Sequence, residues 1–75
     1  MLEVRAYWDS EAKVWWTESD DIPGLVTEAS TVEKLIENIL ALAPDLIELN
    51  NVTGDEIPIS VMAHRVEYIK QTKFA

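Results

Sequence analysis

Asp20-Asp21-Ile22-Pro23-Gly24-Leu25-Val26-Thr27-Glu28-Ala29-Ser30-Thr31-Val32-Glu33-Lys34-Leu35 is the stretch on which the fold turns. Pro23 has a fixed φ and no amide hydrogen, and Gly24 tolerates positive φ, so the pair marks a turn. Leu25–Ala29 then reads as a short strand. Ser30 with Glu33 three residues on has the spacing of a capping box. The serine side chain would accept from the Glu33 amide while the glutamate reaches back to the Ser30 amide. A single segment therefore predicts where β-structure stops and the one long helix begins.

Working back towards the N-terminus, Leu2, Val4, Ala6 and Trp8 alternate with Glu3, Arg5 and Tyr7, the period of a half-buried strand. Asp9–Ala12 is a polar break of hairpin length. Lys13–Glu18 is a second strand, with Val14 and Trp16 on one face and Trp15 and Thr17 on the other. Ser19–Gly24 leads into the third strand, so the first three strands are expected to form an antiparallel meander.

Working forward, Val32, Leu35, Ile36, Ile39, Leu40, Ala43, Leu46 and Ile47 recur at three- and four-residue spacing. They form the stripe of an amphipathic helix, with Glu33, Lys34, Glu37 and Asn38 opposite. Pro44 lies inside it, where a proline removes a hydrogen bond and crowds the preceding turn at roughly 3 kcal/mol. The stripe keeps its phase across Pro44, which predicts a kinked but continuous helix ending at Leu49. Asn50–Glu56 is a polar turn. Ile57, Ile59, Val61 and Ala63 then alternate with Pro58, Ser60, Met62 and His64 as a fourth strand. The phase changes after His64, to Val66 and Tyr68, which predicts a bulge or a two-sided strand.

The expected fold is α+β: a two-layer β-β-β-α-β unit, one antiparallel-rich sheet with the Pro44-kinked helix across one face, and residues 1–75 forming a single domain. The second sheet face is expected to carry Tyr7, Trp15 and Met62, with no element left over to cover it.

Composition narrows the function classes. The chain has 75 residues, room for one core, and buries only about 60–65% of its unfolded surface. It has no cysteine, so neither disulfides nor thiolate metal sites are available. Fourteen acidic against six basic residues give a net charge of −8, which disfavours nucleic-acid backbones and anionic membranes and suits cationic partners. There is no basic-then-apolar leader and no run of apolar residues long enough to span a bilayer, so a soluble cytoplasmic protein is expected.

The parts for enzyme chemistry are sparse. His64 is the one histidine, Ser10, Ser19, Ser30 and Ser60 lack a nucleophile elbow, and Gly24 and Gly54 are isolated rather than part of a phosphate-cradling loop. Glu18, Asp20 and Asp21 are clustered, but carboxylates before a turn usually cap amides or face water, and adjacency in sequence is not a converging metal site. Tyr7, Trp8, Trp15, Trp16 and Tyr68 lack the interleaved basic residues of a nucleic-acid stacking platform. No catalytic, cofactor-binding or metal-binding residue is assigned.

Pro23-Gly24-Leu25-Val26-Thr27-Glu28-Ala29-Ser30-Thr31-Val32-Glu33, with the tryptophans of the first two strands and Pro44-Asp45-Leu46, resembles the HicB-like antitoxin family. It is most similar to a small stand-alone branch, a domain of unknown function without an appended module. The resemblance covers nearly the whole chain, and its motifs are turn and cap signals that specify fold more than function. It implies a self-associating, commonly dimeric β-β-β-α-β domain. In complete family members this domain blocks a small basic toxin that cleaves messenger RNA, while a separate C-terminal module binds DNA. Ala75 directly follows the fourth strand, so DNA binding is not carried over, and Lys34-Leu35 stands where the family often has Glu-Ala. The family domain has also been likened to a reduced ribonuclease H fold, whose converging acidic set has no counterpart assigned here.

The function expected is thus a non-enzymatic, antitoxin-like protein-binding module that occludes a small basic RNA-cleaving toxin, with itself as a further partner in a homodimer. Tyr7, Trp15, Val66 and Tyr68 are the candidate partner or dimer contacts. An orphan structural homodimer is the alternative, and a metal-dependent enzyme has the least support.

Overall fold

Asp9 closes the first hairpin with its side chain. In a computed structural model describing residues 1–49 and 56–71 (side chains of Glu48 and Leu49 excepted), Asp9 Oδ1 accepts from the Glu11 and Ala12 amides at 2.9 and 3.1 Å. The Lys13 amide donates to the Asp9 carbonyl at 2.8 Å, and Lys13 takes a positive φ of 61°. This turn joins β1 (Leu2–Asp9) to β2 (Val14–Glu18), which pair antiparallel with Tyr7 opposite Trp16 and Trp8 opposite Trp15.

At Ile22–Leu25 the expected turn forms. The Leu25 amide donates to the Ile22 carbonyl at 3.2 Å, and Gly24 has φ +87°, the positive value that the third residue of a type II turn requires. The strand that follows is shorter than its sequence suggests: β3 is Glu28–Ala29, not Leu25–Ala29. The physical reason is Thr17. Its buried hydroxyl accepts from the Thr27 amide at 3.2 Å and lies 3.4–3.5 Å from the Thr27 and Leu25 carbonyls. The Thr17 amide still donates to the Thr27 carbonyl at 3.3 Å, but the reciprocal bond, from the Thr27 amide, goes to a side chain instead of a backbone carbonyl.

The single helix, α1 (Val32–Leu49), runs uninterrupted through Pro44. Its cap is one residue later than the capping box predicts. Thr31 Oγ1 accepts from the Lys34 amide at 3.1 Å, and the Thr31 carbonyl accepts from Leu35 at 3.0 Å. Thr31 is therefore the N-cap, and Ser30 lies outside the helix. Leu35, Ile39 and Ala43 are buried, whereas Leu40 is exposed, so the buried stripe is narrower than the apolar one.

The expected polar turn over 50–55 lies outside the described residues. β4 (Ile59–His64) starts after Pro58, which cannot donate to a ladder but whose carbonyl accepts from Leu2 at 3.2 Å. β4 pairs parallel with β1, Leu2 opposite Ile59 through Tyr7 opposite His64, giving the sheet order β3-β2-β1-β4. Two antiparallel pairings and one parallel one make a mixed sheet with one helix, an α+β fold. There is no bulged continuation after His64. β4 ends there, and the exposed segment 65–71 carries Val66, Tyr68 and Ile69 outward.

Parity decides the faces. Leu2, Val4, Ala6 and Trp8 of β1, Trp15 and Thr17 of β2 and Ile59 and Val61 of β4 share the helix side. Val4, Ala6, Trp15, Ile22, Leu25, Ala29, Leu35, Ile39 and Ala43 form the buried core there. The expected place of Trp15 on the open face is thus corrected: it is 9% exposed and packs under α1, while Trp16, 39% exposed, occupies the open face beside Tyr7.

Candidate functional site

The uncovered face of the sheet is the candidate site. Tyr7 of β1 sits at its centre, its ring 5.0 Å from Trp16 of β2 and 6.1 Å, edge-on, from His64 of β4. Met62 adds a half-exposed thioether, and together Arg5, Tyr7, Met62, Ala63 and His64 line an open depression. Aromatic rings with a thioether beside them form a rigid, adaptable apolar platform, residue types enriched in interface cores.

One end of the platform is charged. The Arg5 guanidinium reaches Glu18 at 3.3 Å and Asp20 at 3.2 Å. Its pKa is raised above the ordinary value, chiefly by the hydrogen bond to Asp20, with the charges of Asp20, Glu18 and Tyr7 adding to it and partial desolvation opposing. A raised cationic pKa contributes at all pH below the unfolded value and is lost only as pH climbs past the folded one, so Arg5 stays cationic through the neutral range. Nearby, Asp21 Oδ2 accepts from the Glu3 amide at 2.8 Å, and Ser19 Oγ donates to the Glu3 carbonyl at 2.6 Å while accepting from the Ile22 amide.

These bonds settle where the Glu18, Asp20 and Asp21 cluster goes. Two of the carboxylates hold an arginine and the third caps a backbone amide, and a shallow acidic hollow lined by Glu3, Arg5, Asp20 and Asp21 remains. Among the described residues no group of three histidine or acidic side chains converges as metal ligands would. None of the described helices is long and apolar enough to cross a membrane.

Of the four residues singled out from the sequence, Tyr7 lies on the open face, Trp15 lies in the core, and Val66 and Tyr68 lie beyond β4, 58% and 90% exposed. Trp16 and His64 complete the platform and were not singled out. The signal for Trp16 was present: a four-residue hairpin loop pairs odd-numbered residues with even-numbered ones, so Tyr7 must share its face with Trp16 and not with Trp15.

Residues 1–71 match the family described as Domain of unknown function (DUF1902). The chain belongs to that family. A solved structure with the same fold, the hypothetical protein TTHA1013 from the extremely thermophilic bacterium Thermus thermophilus, is 41% identical at a TM-score of 0.70, over 93% of this chain and 97% of that one. No curated protein matches. The solved neighbour agrees with the sheet and helix described above, and neither match carries the name of an antitoxin.

Proposed function

We propose that this DUF1902 chain is a non-enzymatic protein-binding module of HicB-like antitoxin type, which occludes a small basic RNA-cleaving protein with its open sheet face. The observation that carries this reading is the platform itself: Tyr7 and Trp16 at 5.0 Å, with His64 and Met62 beside them, on a face no described element covers. Glu3, Glu18 and Asp20 lie at its edge, in a chain of net charge −8. An apolar centre desolvates a partner and an acidic surround selects a cationic one and speeds its approach.

The test is recovery of the tagged protein from its native lysate at low and at high salt. The reading expects a co-purifying small basic protein whose ribonuclease activity returns on separation. Trp16→Ala should weaken that complex by about 30-fold or more, the loss of one aromatic anchor. Recovery of the chain without such a protein overturns the antitoxin reading. The self-associating module without a toxin is the second reading, favoured by the exposed segment after His64.

A further inference from the structure

The register of the sheet lines up four side chains that lie far apart in sequence. Glu28 of β3 stands opposite Trp16 of β2, Trp16 opposite Tyr7 of β1, and Tyr7 opposite His64 of β4. Parity puts all four on the open face, so a carboxylate, two rings and an imidazole form one row across the strands. Directly opposed residues of antiparallel strands hold their Cβ atoms about 5 Å apart, so Glu28 borders Trp16. The Trp16 ring in turn lies 5.0 Å from that of Tyr7, at an interplanar angle of 38°. The Glu28 backbone is fixed by its pairing with Trp16 and by Asn38 Nδ2, which donates to its carbonyl at 3.3 Å. Its carboxylate is exposed and has no ion-pair or hydrogen-bond partner among the described residues.

The chain's two arginines each display one half of a recognition chemistry. Arg65 lays its guanidinium 4.0 Å above the Trp8 ring. Arg5, in the next row of the open face, is held by Glu18 at 3.3 Å and Asp20 at 3.2 Å. Tyr7 and Trp16 have a ring pair and a bordering carboxylate but no guanidinium: among the described residues no cation lies over either ring, and Arg5 is engaged by its own two carboxylates. We propose that the row from Glu28 to Tyr7 is an arginine-reading site. The guanidinium of an arginine on the docking protein lies flat on Trp16 and Tyr7, and its edge donates to the Glu28 carboxylate. This rests on the reading of the open face as the seat of a basic protein, and names the side chain by which that protein is held.

Charge and shape select this occupant. By parity the strands place Glu3, Asp9, Glu18 and Glu28 on the open face against Arg5, so a cation is drawn to it and an anion repelled. Arginine is favoured over lysine because a guanidinium is planar and weakly hydrated. It stacks on a ring while its N–H groups project sideways, towards a carboxylate at the end of the row. An ammonium is a compact, strongly hydrated point charge, and it cannot present a flat face and a fork of donors together.

The test titrates two blocked peptides of equal charge, Gly-Arg-Gly-Arg-Gly and Gly-Lys-Gly-Lys-Gly, into the parent while NMR follows the three indole N–H resonances. The arginine peptide should move the Trp16 resonance and leave that of Trp8, already capped by Arg65, in place. The parent should bind the arginine peptide about tenfold more tightly than the lysine one. Glu28→Gln should remove most of that preference. Glu37→Gln, the same loss of one charge at an exposed position of α1, should preserve it. Equal affinities for the two peptides overturn the proposal. So does a preference that survives Glu28→Gln, or one that falls as far with Glu37→Gln. No nuclease enters the titration, so its failure is distinct from that of the antitoxin reading: a chain that prefers arginine yet recovers no basic protein keeps the site and loses the toxin.

Discussion

Leu46 Cδ2 lies 3.5 Å from where a Cβ on Gly24 would stand, so the last turns of α1, beyond Pro44, rest on the Pro23–Gly24 turn. That separation is ordinary van der Waals contact, and the room for a methyl group exists. Backbone conformation is what requires glycine, with φ at +87°. Gly24→Ala should therefore destabilise by about 1–2 kcal/mol through left-handed strain. Gly24→Asn, which tolerates this region better, should cost less. Urea unfolding of both variants decides it: equal losses would mean that bulk against Leu46, not φ, sets the requirement.

Thr17 is the one buried polar residue among those described, and its hydroxyl serves the Thr27 amide and two carbonyls. Thr17→Val keeps the shape and orphans those groups, at about 1–3 kcal/mol. Thr17→Ser keeps the hydroxyl and should retain most of the stability. Hydrogen exchange at the Thr27 amide should quicken in the valine variant only.

The helix cap offers a paired comparison. Thr31→Ala removes the acceptor for Lys34 and should cost about 1 kcal/mol, whereas Ser30→Ala should stay within about 0.5 kcal/mol. A larger loss at Ser30 than at Thr31 in thermal unfolding would restore the capping-box assignment.

Trp15 and Trp16 are neighbours with opposite consequences. Trp15→Ala opens a cavity beneath α1 and should cost about 3–5 kcal/mol, enough to unfold much of a 75-residue domain. Trp16→Ala removes a half-exposed ring tilted against Tyr7 and should cost about 1 kcal/mol while weakening capture of the proposed basic partner by about 30-fold or more. Circular dichroism separates the two: a Trp16 variant that unfolds like the Trp15 one would make Trp16 a core residue.

Local patterning was sufficient for the element order, the Pro23–Gly24 turn, the passage of α1 through Pro44 and the α+β class, because each depends on residues within a few positions of one another. Trp15 and Trp16 show where it stops being sufficient. Both are equally apolar, and only the pairing of Asp9 with Val14 assigns one to the core and the other to the open face. Likewise Ser30 and Thr31 both suit an N-cap, and the choice falls to whichever hydroxyl the packed helix brings within reach of an amide. The shortness of β3 follows from a hydroxyl on β2, and the parallel seat of β4 beside β1 follows from α1 carrying the chain across the sheet. Periodicity along a chain is a property of neighbours, whereas which face a side chain meets is set by strands brought together from far apart, and only the folded structure fixes that register.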